Sequence, residues 1–147
     1  MQKQGYSSRR RSSRCVSRGV SPAWPRIRTI DGHTGGEPLR LIVDGFPSPV
    51  GDTMLEKRRW VRENHDELRR ALMWEPRGHA DMYGCIVTEP VSPGADFGVL
   101  FLHNEGYSSM CGHGIIAVTT VAIETGMIPA VEPLTVVRID APAGLIT

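Results

Sequence analysis

Gly112-His113-Gly114-Ile115-Ile116-Ala117-Val118-Thr119-Thr120-Val121-Ala122-Ile123-Glu124-Thr125, closed by Gly126, is the stretch that decides the fold. Its spacing predicts a helix over residues 112–125, apolar on most faces, with Gly126 placed to stop it. A helix of that kind belongs at the centre of a domain. Around it the chain reads as strands. Residues 84–91 and 97–102 are apolar enough for buried strands, joined by a turn at Ser92-Pro93-Gly94. Residues 27–31 alternate apolar and polar, His33-Thr34-Gly35-Gly36 is a turn, and residues 39–43 and 135–139 supply two further strands. Thr53-Met54-Leu55-Glu56 is a capping box, in which Thr caps the first amides and Glu bonds back to the cap. It opens a helical stretch carrying Leu55, Val61, Leu68, Leu72 and Met73, which Asn64-His65-Asp66 splits in two before Pro76. These elements predict an α+β domain whose sheet curves around the 112–125 helix.

The chain has 147 residues, 40% hydrophobic and 22% charged, which predicts one ordinary globular domain. No apolar run approaches the ~20 residues of a membrane-spanning helix. The net charge of +1 hides an uneven distribution. Seven basic residues and no acid precede Ile27, and the remaining ten basic residues face all 16 acids, so the chain from Ile27 onward carries −6. That balance argues against nucleic acid as the main partner. Residues 1–26, rich in Ser and Arg, cannot bury enough apolar area to offset their ordering entropy and read as a disordered basic leader. A leader of this composition fits a cytoplasmic protein with an extended start, or a mitochondrial one with a transit peptide. Cys15, Cys85 and Cys111 are too few and too far apart for a disulfide framework, which leaves a reducing compartment or one functional thiol.

The functional groups gather in His103-Asn104-Glu105-Gly106-Tyr107-Ser108-Ser109-Met110-Cys111-Gly112-His113-Gly114, between a buried strand and the buried helix. Cys111 stands at the helix N-terminus, where free amides and the macrodipole favour an anion, so its thiol is expected to ionise near neutral pH. Gly112 and Gly114 leave backbone amides unshielded, a cradle for a carboxylate. His113 can bond a substrate or tune the thiol. Cys85 lies in an apolar strand and Cys15 in the leader. Other readings compete with this one. Gly112-His113-Gly114-Ile115-Ile116-Ala117 fits the dinucleotide fingerprint, but a loop of about eight residues separates it from its strand. His103, Cys111 and His113 could ligate zinc, without an obvious fourth ligand. A cysteine hydrolase would pair Cys111 with His113, His103 or His79. An inert, buried cysteine is the plain structural alternative.

Asp31-Gly32-His33-Thr34-Gly35-Gly36-Glu37-Pro38, Glu75-Pro76-Arg77-Gly78-His79, Asp81-Met82-Tyr83-Gly84 and the Cys111 loop together resemble the proline racemase superfamily, most of all its trans-3-hydroxy-L-proline dehydratase branch. The resemblance runs from about Ile27 to the C-terminus. It implies a diaminopimelate-epimerase-like fold of two α+β halves, each a curved mixed sheet wrapped around a central helix. The substrate would lie between the halves, with both helix N-termini aimed at its carboxylate. By position, Cys111 would be the acid/base thiol, and Gly112 and His113 would contact the substrate. His33 and His79 sit in matching motifs but read as loop structure. The implied reaction needs no metal and no cofactor. A thiolate takes the α-proton of a hydroxyproline, and loss of the 3-hydroxyl follows. The alternative is proline racemisation or hydroxyproline 2-epimerisation, in which a second thiol returns the proton from the opposite face. The implied partner is a small molecule, neither nucleic acid nor membrane. Residues 27–147 correspond to the family's N-terminal half and read as a truncated domain. Such a half would leave apolar surface uncovered, inviting association such as a homodimer. A non-catalytic remnant is the alternative from another class.

Overall fold

The computed structural model describes residues 25–147. The readings of the leader, Cys15 included, lie outside the described residues. The elements run β1 (Arg28–Thr34), β2 (Glu37–Asp44), α1 (Met54–Asn64), α2 (Asp66–Met73), β3 (Tyr83–Thr88), β4 (Phe97–His103), β5 (Tyr107–Ser108), α3 (Gly112–Glu124), β6 (Ile139–Ala141) and β7 (Gly144–Ile146). The strands form one mixed sheet in the order β1-β2-β3-β4-β6-β7, with β5 also paired to β4. Two pairings are parallel, β2 with β3 and β4 with β6, and the helical segments supply the crossovers between them.

β4 shows why the sheet is covered on both faces. Six of its seven residues are buried. Successive side chains of a strand point to opposite faces. Phe97, Val99 and Phe101 therefore join Leu39, Leu41 and Cys85 on one face, against Ala117, Val118 and Ala122 of α3. Leu100 and Leu102 join Ile42 and Ile86 on the other, against Val61, Leu72 and Met73 from the α1–α2 segment. Residues from β1, β2, β3, β4, β6 and β7 all pack into the α3 layer, so the sheet wraps the helix as expected for this α+β fold. The arrangement excludes a dinucleotide-binding Rossmann unit, whose sheet is parallel throughout its βαβ repeats.

Local signals behave as their chemistry dictates. The Thr53 hydroxyl accepts the Glu56 amide at 3.1 Å and Glu56 accepts the Thr53 amide at 3.0 Å, a complete capping box. His65 separates α1 from α2. The β1–β2 hairpin turns at Gly35 and Gly36, whose φ values of 59° and 100° a side chain would disfavour. Arg40 clamps the same region. Its guanidinium donates to both carboxylate oxygens of Asp31 at 2.9 and 2.7 Å and to the carbonyls of Leu72 and Arg77.

Two expectations need correction. The last strands are β6 and β7, not residues 135–139: positions 135–138 lie outside the sheet, and only Ile139 and Asp140 pair with the start of β4. Val136, within that stretch, is 48% exposed. Nor is α3 enclosed all round, because Ile116 is 57% exposed while Val118 and Ala122 on the opposite side are buried. Among the described residues, no helix is long and apolar enough to cross a membrane.

Candidate active site

Cys111 is the N-cap of α3. Its Sγ accepts the Gly114 amide at 3.3 Å, and its carbonyl accepts the Ile115 amide at 2.9 Å. The first turn of a helix has four amides without intrahelical acceptors. Ile115 makes the first intrahelical bond and the Gly114 amide is taken by the sulfur, so the amides of Gly112 and His113, with that of Cys111 itself, are left among the described residues for an outside acceptor. Gly112 is exposed, and a Cβ built on it would meet nothing within 4 Å, so the approach to this helix end is open. Gly114 is different: a Cβ there would lie 2.6 Å from the Phe101 ring and 3.0 Å from the Cys111 sulfur. Only glycine lets the thiol fold back onto its helix over that ring.

His113 stands against the thiol, with Nδ1 3.3 Å and Nε2 3.6 Å from Sγ. Thr34 donates its hydroxyl to the His113 carbonyl at 3.0 Å, tying the end of β1 to the helix start. Tyr83 fills the space beyond. Its ring meets that of His113 edge-on at 5.1 Å and stacks on that of His103 at 5.2 Å, and its hydroxyl lies 2.6 Å from Ser108 Oγ. A cavity of about 280 Å³ opens alongside, lined by Glu37, Asp81, Tyr83, His103 and Glu105 among others, three of them carboxylates.

The charge state of Cys111 departs from the expectation. Burial pushes the thiol above its ordinary range; the Gly114 amide opposes this, and the Glu37 carboxylate adds to it. The helix end does favour the thiolate, but Cys111 is only 7% exposed and desolvation outweighs that help. Cys85, fully buried, is pushed up further by the same cause, with the charge of Cys111 second. A raised thiol pKa means less thiolate at any given pH. Alkylation of Cys111 is therefore expected to set in at higher pH in the native chain than in the denatured one. Glu37→Gln should bring the onset down, and Cys85 should stay silent. Peptide mapping after alkylation over a pH series reads all three.

The Tyr83 ring lies between His103 and His113, and among the described residues no three side chains of metal-ligand type come together. A cysteine hydrolase needs a third group hydrogen-bonded to its histidine. Here both ring nitrogens of His113 face the sulfur, and among the described residues neither has a further partner. His33 and His79 serve their loops: their Nδ1 atoms accept the amides of Gly36 and Asp81, and the His79 carbonyl accepts Asn104 Nδ2. Sequence reasoning gave no role to Thr34, Glu37, Tyr83 or Ser108. The first three lie in quoted motifs and Ser108 in the loop itself, but nothing local tells that they converge on one thiol.

The family profile for proline racemase matches residues 29–147. The chain belongs to the proline racemase family. Two relatives in it carry different activities at equal likeness. A trans-3-hydroxy-L-proline dehydratase of Azospirillum brasilense is 58% identical over 120 residues, and so is a 3-hydroxyproline 2-epimerase of Burkholderia multivorans. Each match covers 82% of this chain and 36% of the relative, so the chain spans about a third of the length of these proline racemase family members. The crystal structure of a hydroxyproline epimerase from Agrobacterium vitis, with bound trans-4-hydroxy-L-proline, superimposes with a TM-score of 0.76 at 31% identity, covering 81% of this chain and 35% of that one.

Proposed function

We propose that this chain supplies the thiol face of a trans-3-hydroxy-L-proline dehydratase. The observation that carries the reading is the open N-terminus of α3, where the Cys111 sulfur sits 3.3 Å from the His113 imidazole beside the free amides of Gly112 and His113. Those amides would bind the substrate carboxylate and stabilise charge as it develops on deprotonation. The acidic cavity beside Tyr83 suits the substrate's secondary ammonium. That cation, close to the sulfur, would pull the thiol back toward its ionised form. A desolvated thiolate is also a stronger base than a solvated one, which the weakly acidic α-carbon requires.

In the step itself the Cα–H electron pair forms the new C=C bond as Cys111 takes the proton. The C3–O bond breaks, and the oxygen leaves as water after gaining a proton. The cyclic enamine then tautomerises to the imine acid. The second reading is 2-epimerisation, favoured by the equal identity to the epimerase of Burkholderia multivorans. It would return the proton to Cα from a group on the opposite face. A chain that binds without turning over is the reading from another class.

The test uses the purified chain, alone and supplemented with the segment of the Azospirillum brasilense dehydratase that it does not match. Imine acid from trans-3-hydroxy-L-proline is the expected product. Inverted substrate carrying solvent deuterium at Cα would instead assign the epimerase. Failure of both reactions in both preparations would overturn the enzymatic reading.

A further inference from the structure

A histidine that works against a thiol usually has its orientation fixed by a hydrogen bond to the second ring nitrogen. His113 has no such bond among the described residues, since both nitrogens face Sγ at 3.3 and 3.6 Å. What bounds the imidazole instead is the ring of Tyr83. That ring is itself held on two sides. β3 and β4 place Tyr83 directly opposite His103, and the two rings stack with their planes 24° apart. The Tyr83 hydroxyl reaches across β4 to Ser108 on β5, at 2.6 Å. The His103 ring is fixed in turn by the Glu105 amide, which donates to its Nδ1. We propose that Tyr83 is the positioning residue of the Cys111–His113 pair: its ring, pinned by Ser108 and backed by His103, holds the imidazole against the sulfur. The groups facing that imidazole are thus the Cys111 thiol and the Tyr83 ring, with His103 behind Tyr83 and Glu37 acting on the thiol from β2. A clamp of this kind fixes direction without adding a charge. A carboxylate in the same place would favour the imidazolium.

The proposal rests on Cys111 and His113 being the reacting pair, but it is read without turnover. The quantity measured is the coupling between them, taken as the change in the His113 titration midpoint, followed by NMR, when Cys111 is replaced by serine. The reciprocal change appears in the pH profile of Cys111 alkylation when His113 is replaced by glutamine. Tyr83→Leu, which removes the ring, should weaken that coupling by about 2- to 10-fold, the range an aromatic edge contact is worth. Tyr83→Phe and Ser108→Ala remove the same hydrogen bond. Each should give the same smaller loss, and the double variant should be no worse than either alone. Coupling unchanged in a folded Tyr83→Leu chain would overturn the proposal. Should that variant fail to fold, the conservative pair decides: equal, non-additive losses support the clamp, and additive or absent losses refute it.

Discussion

Cys111→Ser is expected to keep the fold and lose the chemistry, with α-proton abstraction from trans-3-hydroxy-L-proline falling by about 10²- to 10⁴-fold. The asymmetry follows from what the sulfur does. As the N-cap of α3 it accepts the Gly114 amide at 3.3 Å, and serine is among the residues best suited to that duty. The helix should start as before and the melting temperature should hardly move. As a base, the sulfur must ionise. A thiol does so within reach of neutral pH and a serine hydroxyl does not. Carboxylate binding by the Gly112 and His113 amides should survive, since it uses the backbone. Initial rates and a thermal melt on the same sample separate the two effects. A variant as unstable as it is inactive would place Cys111 among the structural cysteines.

Phe101→Ala carries the largest expected loss of stability. Its ring is fully buried on the α3 side of β4, and the helix approaches closely enough that a Cβ on Gly114 would fall 2.6 Å from it. Removing a buried phenylalanine costs about 3–5 kcal/mol, transfer and cavity together. That is a large share of the ~5–15 kcal/mol by which domains are stable. Gly114→Ala fails in the opposite way, by overpacking, at about 1–3 kcal/mol. Because one substitution opens the space that the other fills, the two should compensate. Gly114→Ala should cost less in the Phe101→Ala background than alone. Urea unfolding of the two single variants and the double variant measures this, and strict additivity would mean that the ring and the helix do not share that contact.

What the sequence made legible was local. The Thr53 capping box, the break at His65 and the doubly covered β4 each depend on residues a few positions apart, and each forms as read. The residue 135–139 stretch misled because its β-branched residues suit a strand, yet the chain meets no sheet partner before Ile139. Asp96 instead ties down Arg138, exchanging hydrogen bonds with its backbone at 2.6 and 2.7 Å, and Asp140 accepts the Val91 and Ser92 amides. At the site, the helix N-terminus under Cys111 could be read from Gly112 and Gly114, but the burial that reverses its effect could not. Burial there comes from Phe101 and the strands beneath, which lie elsewhere in the chain. Tyr83 reaches His113 only through the β3–β4 register, and a one-residue slip would send it to the other face.

The proposed function stands or falls on removal of the α-proton by the Cys111 sulfur. It is tested most directly with trans-3-hydroxy-L-proline deuterated at Cα, given to the chain supplemented with the unmatched segment of the Azospirillum brasilense relative. Deuterium should appear in the water, more slowly once lower pH protonates the sulfur, and not above background with Cys111→Ser. Deuterium release from Cys111→Ser at the rate of the unaltered chain would contradict it.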